Sequence, residues 1–248
     1  MLFNLLPVSP DLPILAAHIL AAVLPSVYLL RYIYRHDTVE PEPPGLLFKL
    51  LIFGVLAALC CGFLERIGDA LLMKLIPLDS RAYTILFAFL VVAAVEEGTK
   101  FIFLKFGTWR DKEFNYLFDG VVYSAFVSLG FAAFENIHYV FNYGLSVALA
   151  RALLAIPGHL SFSIFMGVYY GRARLYANRG NRAASKINLL FGYLFATVLH
   201  GFYDTCAMLS TMFSTILFLI FIILMFTAAF RTLKRESSRD APIISRYK

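Results

Sequence analysis

The chain has 248 residues, 60% of them hydrophobic and only 15% charged, and carries a formal net charge of +6. That is more apolar material than a water-soluble domain can cover, which excludes a soluble enzyme or carrier and implies a polytopic membrane protein. The basic residues are divided among short connections instead of forming one stripe with aromatics, so a nucleic-acid surface is also excluded.

Apolar windows of roughly 20 residues, enough to cross a bilayer core as helix, can be drawn near residues 12–34, 46–65, 82–105, 118–141, 147–170, 187–208 and 210–230. Their apolar runs are continuous and not alternating, which predicts an all-α transmembrane helical bundle of about seven spans and no barrel. Residues 1–230 read as one transmembrane domain and residues 231–248 as a basic cytoplasmic tail, mobile at the headgroup surface. Arg31, Arg35, Lys49, Lys105, Arg110, Lys112, the Arg172 to Lys186 connection and the tail fall on one side. Arg66, Lys74, Arg81 and Arg151 fall on the other, and this asymmetry predicts an outside amino terminus and an inside carboxyl terminus.

The first window has no basic residue before it and no small-x-small cleavage site after it, so it reads as a retained span. The stretch RHDTVEPEPPG that follows, residues 35–45, has three prolines that exclude a helix and acids that keep it wet. Cys60, Cys61 and Cys206 lack metal-type spacing and read as packing residues.

The third span reads VVAAVEEGTKF, in which Lys100 lies four residues after Glu96 and three after Glu97 and can neutralise either. Adjacent side chains on a helix diverge by about 100°, so one glutamate is expected to share the site's face fully while the other braces it. In the fourth span, Phe131, Glu135 and Tyr139 fall on one helical face beside Gly130, Ala132 and Ala133. Glu135 is therefore expected to face the bundle, with Tyr139 placed to hydrogen-bond it, while His138 reads as an interfacial residue. The fifth span carries Pro157 and Gly158 immediately before His159, which predicts a local weakening of the helix there. The sixth places His200 and Asp204 at i, i+4, where two side chains can share one metal or one substrate.

At ~1.5 Å rise per residue these positions can meet at one level, in the outer half of the membrane, with Glu96 about midway. A charged carboxylate in hydrocarbon costs several kcal/mol unless paired, so Glu96, Glu97, Glu135 and Asp204 imply a use. Together with His159 and His200 they supply a general base and several ligands or hydrogen-bond donors. That set suits activation of a water for attack on a carbonyl, by a carboxylate alone or by a carboxylate beside a bound Zn²⁺. A transporter of divalent cations or protons would also keep such residues in the membrane, although no repeated halves accompany them. A catalytically silent scaffold is the remaining alternative.

The EExxK run at Glu96 to Lys100, the FxxxE and ENxxY runs at Phe131 to Tyr139, His159 after Arg151, and the HxxxD run at His200 to Asp204 together resemble the PrsW family of intramembrane proteases. The DTVEPEPPGLL stretch is similar to that family's first loop, and the resemblance spans about Asp37 to Asp204. It implies an integral multi-pass protein of a bacterial plasma membrane that cuts single-span membrane proteins, such as anti-sigma factors, near the outer face to start stress signalling. It implies further that Glu96 or Glu97 activates the water, with Glu135, His159, His200 and Asp204 as metal ligands or oxyanion donors. Against the broader superfamily of CAAX-processing and bacteriocin-processing proteases, the chain has Lys100 for an arginine, Glu135 for a histidine and Asp204 for an asparagine. These departures add negative charge and suit a cation, leaving open a zinc site or a metal-free glutamate mechanism.

Overall fold

The computed structural model describes residues 12–243; the start of the chain and residues 244–248 of the basic tail lie outside the described residues. The described chain is a helical bundle: α1 (Leu12–His36), α2 (Pro44–Leu72), α3 (Arg81–Leu86), α4 (Ala94–Thr108), α5 (Asp119–Tyr143), α6 (Ala148–Ala150), α7 (Ile156–Asn178), α8 (Arg182–Leu209) and α9 (Met212–Ser238). A π-helical segment, Phe87–Ala93, joins α3 to α4, and another, Arg151–Ala155, joins α6 to α7, so the elements form seven rods. Among the described residues the only bridge outside helices pairs Tyr116 with Pro242.

Local sequence explains the boundaries. Pro44 begins α2 at a position whose N–H is not needed. The side chains of Ser80 and Asn181 accept from Tyr83 and Ala184 backbone N–H groups and cap α3 and α8. Only Ser210, in the left-handed region at φ 47°, and Thr211 separate α8 from α9, where Thr211 and Ser214 form a reciprocal cap.

α5 is the axis of the bundle, and glycines let its neighbours approach. A Cβ on Gly54 or Gly130 would strike the facing backbone of α5 or α2, and one on Gly120, Gly167 or Gly171 would strike backbone across the α5–α7 contact or the residue leading into α5. Outward positions such as Phe48, Phe106, Ile223 and Leu224 are exposed and apolar, as a lipid-facing surface requires. Five rods are by themselves long and apolar enough to cross a membrane: Leu12–His36, Pro44–Leu72, Asp119–Tyr143, Leu145–Asn178 and Met212–Ser238. The other two carry Glu96, Glu97 and Lys100, and His200 and Asp204.

One end of the bundle gathers the end of α1, the start of α2, the end of α4, the start of α5 and the end of α9. Lys49 donates to Gly107 O at 3.1 Å, Ser237 Oγ bonds His36 O, and Leu117 N–H donates to Ala241 O at 3.0 Å. Successive rods therefore run in opposite directions. The tail differs from the expected mobile segment: α9 continues past Phe230 to Ser238, and Ala241 to Ile243 dock along Asn115 to Leu117. Two of the three acids of the first connection are not wet either, while Glu40 stays partly exposed. Asp37 and Glu42 are each 3% exposed, and Asp37 Oδ2 accepts the Glu42 N–H at 3.1 Å, because the prolines fold this short loop back under α5 instead of extending it into water.

Candidate active site

Both π-helical segments end just before site residues. Phe87–Ala93 precedes Glu96 and Glu97, and Arg151–Ala155 precedes His159, so the break expected at Pro157 falls one turn earlier. A π turn widens a helix and re-aims the residues that follow. Here it turns α4 toward α8, where Gly201 makes room for the Phe89 ring and Tyr193 OH bonds Ala94 O at 3.1 Å.

Lys100 sits at the centre. Its Nζ donates to Glu96 Oε2 at 3.0 Å, Glu97 Oε1 at 2.8 Å and His159 Nδ1 at 3.0 Å, and lies 4.0 Å from the centroid of the Phe131 ring. Both glutamates thus enter the site, since two long side chains at i−4 and i−3 can curl onto one ammonium. His200 comes from α8: its Nδ1 lies 3.0 Å from Glu97 Oε1, and Phe162 stacks on its ring at 4.6 Å. The two imidazoles meet edge to face at 5.3 Å.

Each histidine is backed by a carboxylate. His159 Nε2 lies 2.9 Å from Glu135 Oε2, and His200 Nε2 lies 3.3 Å from Asp204 Oδ2. Because the Lys100 ammonium donates to His159 Nδ1, the ring's proton sits on Nε2 and is donated to Glu135. Glu96, Glu97, His159 and His200 each offer a ligand atom within 4.8 Å of the others. Glu135 and Asp204 lie outside that quartet, behind the rings, in the arrangement that orients metal-binding histidines.

Sequence reasoning missed the clamp around Glu135. Arg151 Nη2 lies 3.0 Å from Glu135 Oε2, and Arg151 Nε donates to Asn136 Oδ1 at 2.8 Å. Asn136 Nδ2 in turn donates to Ala22 O of α1 at 2.7 Å. Tyr139 does not bond the carboxylate; its ring lies beneath the Arg151 guanidinium at 3.7 Å. The signals for this were Asn136 next to Glu135 and Arg151 before His159, which say nothing of their meeting. His138 is exposed and contacts Asn142, and Ser163, one turn after His159, bonds Leu160 O, so neither joins the site. The three cysteines are free.

The profile of the "PrsW family intramembrane metalloprotease" matches residues 42–230. The chain belongs to the PrsW family. It is 36% identical over 184 residues to Protease PrsW of Geobacillus kaustophilus, covering 74% of this chain and 76% of the relative. It is 31% identical over 210 residues to Protease PrsW of Clostridioides difficile, covering 83% and 85%, and 33% identical over 218 residues to that of Oceanobacillus iheyensis, covering 88% and 94%. No solved structure matches. Membership selects among the readings the residues allowed: this PrsW-family protein is a peptidase, integral to a bacterial membrane and multi-pass.

The family's metal has a donor set it can use here. Two carboxylates and two imidazoles converge, each imidazole backed by a second carboxylate. Counted as ionised, the carboxylates of Glu96, Glu97, Glu135 and Asp204 exceed the fixed cations Lys100 and Arg151 by two charges in a site buried among helices. The residues therefore fit a divalent cation, with the Lys100 ammonium as its neighbour and competitor.

Proposed function

We propose that this peptidase hydrolyses a peptide bond of a membrane-anchored protein, with the Glu96–Glu97 pair supplying the base. The observation that carries the reading is the convergence of both carboxylates and two carboxylate-backed imidazoles on one buried ammonium. Glu97 is anchored through Oε1 on Lys100 and His200 and its Oε2 has no partner, and Glu96 is anchored on Lys100 through Oε2 alone, so either glutamate keeps an acceptor oxygen for a water proton while Glu97 is held by more partners. Lys100 holds the second carboxylate, Glu96, beside it. Positive charge already fixed in the site, on Lys100 and Arg151, stabilises the negative charge that develops on the carbonyl oxygen. His159 and His200 are held in orientation by Glu135 and Asp204.

Glu96, Glu97, His159 and His200 would hold a Zn²⁺ ion, backed by Glu135 and Asp204. Bound there, it would supply Lewis acidity to the scissile carbonyl and to a water. The substrate is proposed to be a single-span protein of the anti-sigma-factor kind, cut near the outer face to begin regulated intramembrane proteolysis. Supporting this are the Lys and Arg asymmetry, which predicts an inside carboxyl-terminal end, and the position of Glu135, His200 and Asp204 toward the opposite ends of their helices. The test is to reconstitute the purified chain in vesicles without any gradient, add a single-span reporter and locate the cut by mass spectrometry. A cut in the outer half of the reporter's span supports the proposal, and an intact reporter, or a cut on the inner side, contradicts it.

A further inference from the structure

Where α7 and α9 finish, at the end of the bundle away from the Glu96, Glu97, His159 and His200 quartet, a groove of about 180 Å³ opens between α7, α8 and α9. Phe165, Val168 and Phe195 form its apolar wall, and Tyr169, Arg172 and Arg235 stand at its mouth. Phe165 and Phe195 meet edge to face at 5.2 Å, and the Arg172 guanidinium lies 5.7 Å from the Tyr169 ring. The two guanidiniums converge: Arg172 Nη2 is 3.8 Å and Arg235 Nη2 2.8 Å from the same oxygen, Glu236 Oε1. Glu236 offsets one of these charges and leaves the pair with a net positive charge. Both arginines are about half exposed, at 44% and 51%. They lie within two turns of the helix ends at Asn178 and Ser238, while the apolar wall lies deeper and continues onto exposed Phe191, Leu194 and Val198 of α8.

A cationic mouth at headgroup depth above an aromatic wall at acyl depth matches a ligand that is anionic at one end and apolar along the rest. We propose that this groove binds an anionic phospholipid, its phosphate between Arg172 and Arg235 and one acyl chain along Phe165, Val168 and Phe195. The aromatic wall favours a lipid over free phosphate, which would use only the mouth.

The test uses the full chain in neutral detergent, offered phosphatidylglycerol or phosphatidylcholine with the same acyl chains, with retained lipid counted by native mass spectrometry. The wild type should retain phosphatidylglycerol about tenfold over phosphatidylcholine. Arg172→Gln with Arg235→Gln should abolish that preference, and Arg179→Gln with Lys186→Gln, the same charge change on the neighbouring connection, should preserve it. Glu236→Gln frees both guanidiniums and should strengthen retention, a gain that a folding defect cannot imitate. Equal retention of both lipids by the wild type, an unchanged preference in the Arg172 and Arg235 variant, an equal loss in the control, or displacement of the lipid by millimolar inorganic phosphate would each overturn the proposal.

Discussion

One oxygen of Glu135, Oε2, lies 2.9 Å from His159 Nε2 and 3.0 Å from Arg151 Nη2, so a single carboxylate atom orients the imidazole on α7 and pairs with the charge that opens the π-helical turn leading into it. Glu135 is accordingly a positioning residue. Glu135→Gln should lower cleavage about 10- to 100-fold, the usual effect of losing the partner behind a functional histidine, while leaving folded protein in the membrane. His159→Ala combined with Glu135→Gln should be no worse than His159→Ala alone. Cleavage rates in vesicles check both, and additive losses would show that Glu135 acts other than through His159.

The close crossing of α5 and α7 makes a second prediction. A Cβ on Gly167 would meet Gly120 O and the Val121 Cα at 2.5 Å, both backbone atoms that cannot rotate away. Gly167→Ala should destabilise the bundle by about 1–3 kcal/mol through overpacking. Gly45→Ala, where a Cβ would meet nothing within 4 Å, should be near neutral. Thermal unfolding midpoints in detergent compare the two.

Much of this could be read from the chain itself. Rod positions followed from apolar runs, and the polar residues announced themselves by the cost of burying them in hydrocarbon. What was hidden depends on three-dimensional convergence. Spacing shows that Lys100 can reach Glu96 or Glu97, but not that it reaches both and His159 as well. His200 and Asp204 at i, i+4 look like two ligands of one ion, whereas Asp204 stands behind the ring on Nε2, because Nδ1 is the nitrogen that faces α4. The Asn136 bond to the Ala22 carbonyl was invisible, since backbone acceptors leave no sequence signal. Asp37 and Glu42 looked wet because acidic, proline-rich stretches usually are, and only the fold of the loop under α5 buries them.

That buried loop predicts a pH dependence. Burial pushes the Glu42 carboxyl up to about 8 and that of Asp37 up to about 6, with neighbouring acids adding to the rise. Raised carboxyl values mean that the folded state holds more protons than the unfolded one. The stability they contribute is therefore full below the ordinary carboxylate range and is lost as pH rises through about 6 for Asp37 and about 8 for Glu42. The unfolding midpoint should fall between pH 5 and pH 9, and Glu42→Gln, permanently neutral, should flatten that fall. An equally steep fall in the variant would show that Glu42 is not the group responsible.

For the metal, purified wild type should carry about one equivalent of Zn²⁺ per chain and lose cleavage to a chelator. His200→Ala should lose both bound metal and activity. Active protein without stoichiometric metal, unaffected by chelators, would leave the quartet working as a metal-free glutamate site.

The central claim is that Glu96 and Glu97 perform chemistry and do not merely pair with Lys100. Glu97→Gln keeps the shape and the bond from Lys100 but removes the base. Cleavage of a single-span reporter should then fall by about 10² to 10⁴, the range for losing a general base, while unfolding temperature and the amount of protein in the vesicles stay near those of the wild type. If Glu96→Gln and Glu97→Gln both cleave the reporter at the wild-type rate, the carboxylate pair is structural and the account fails at its centre.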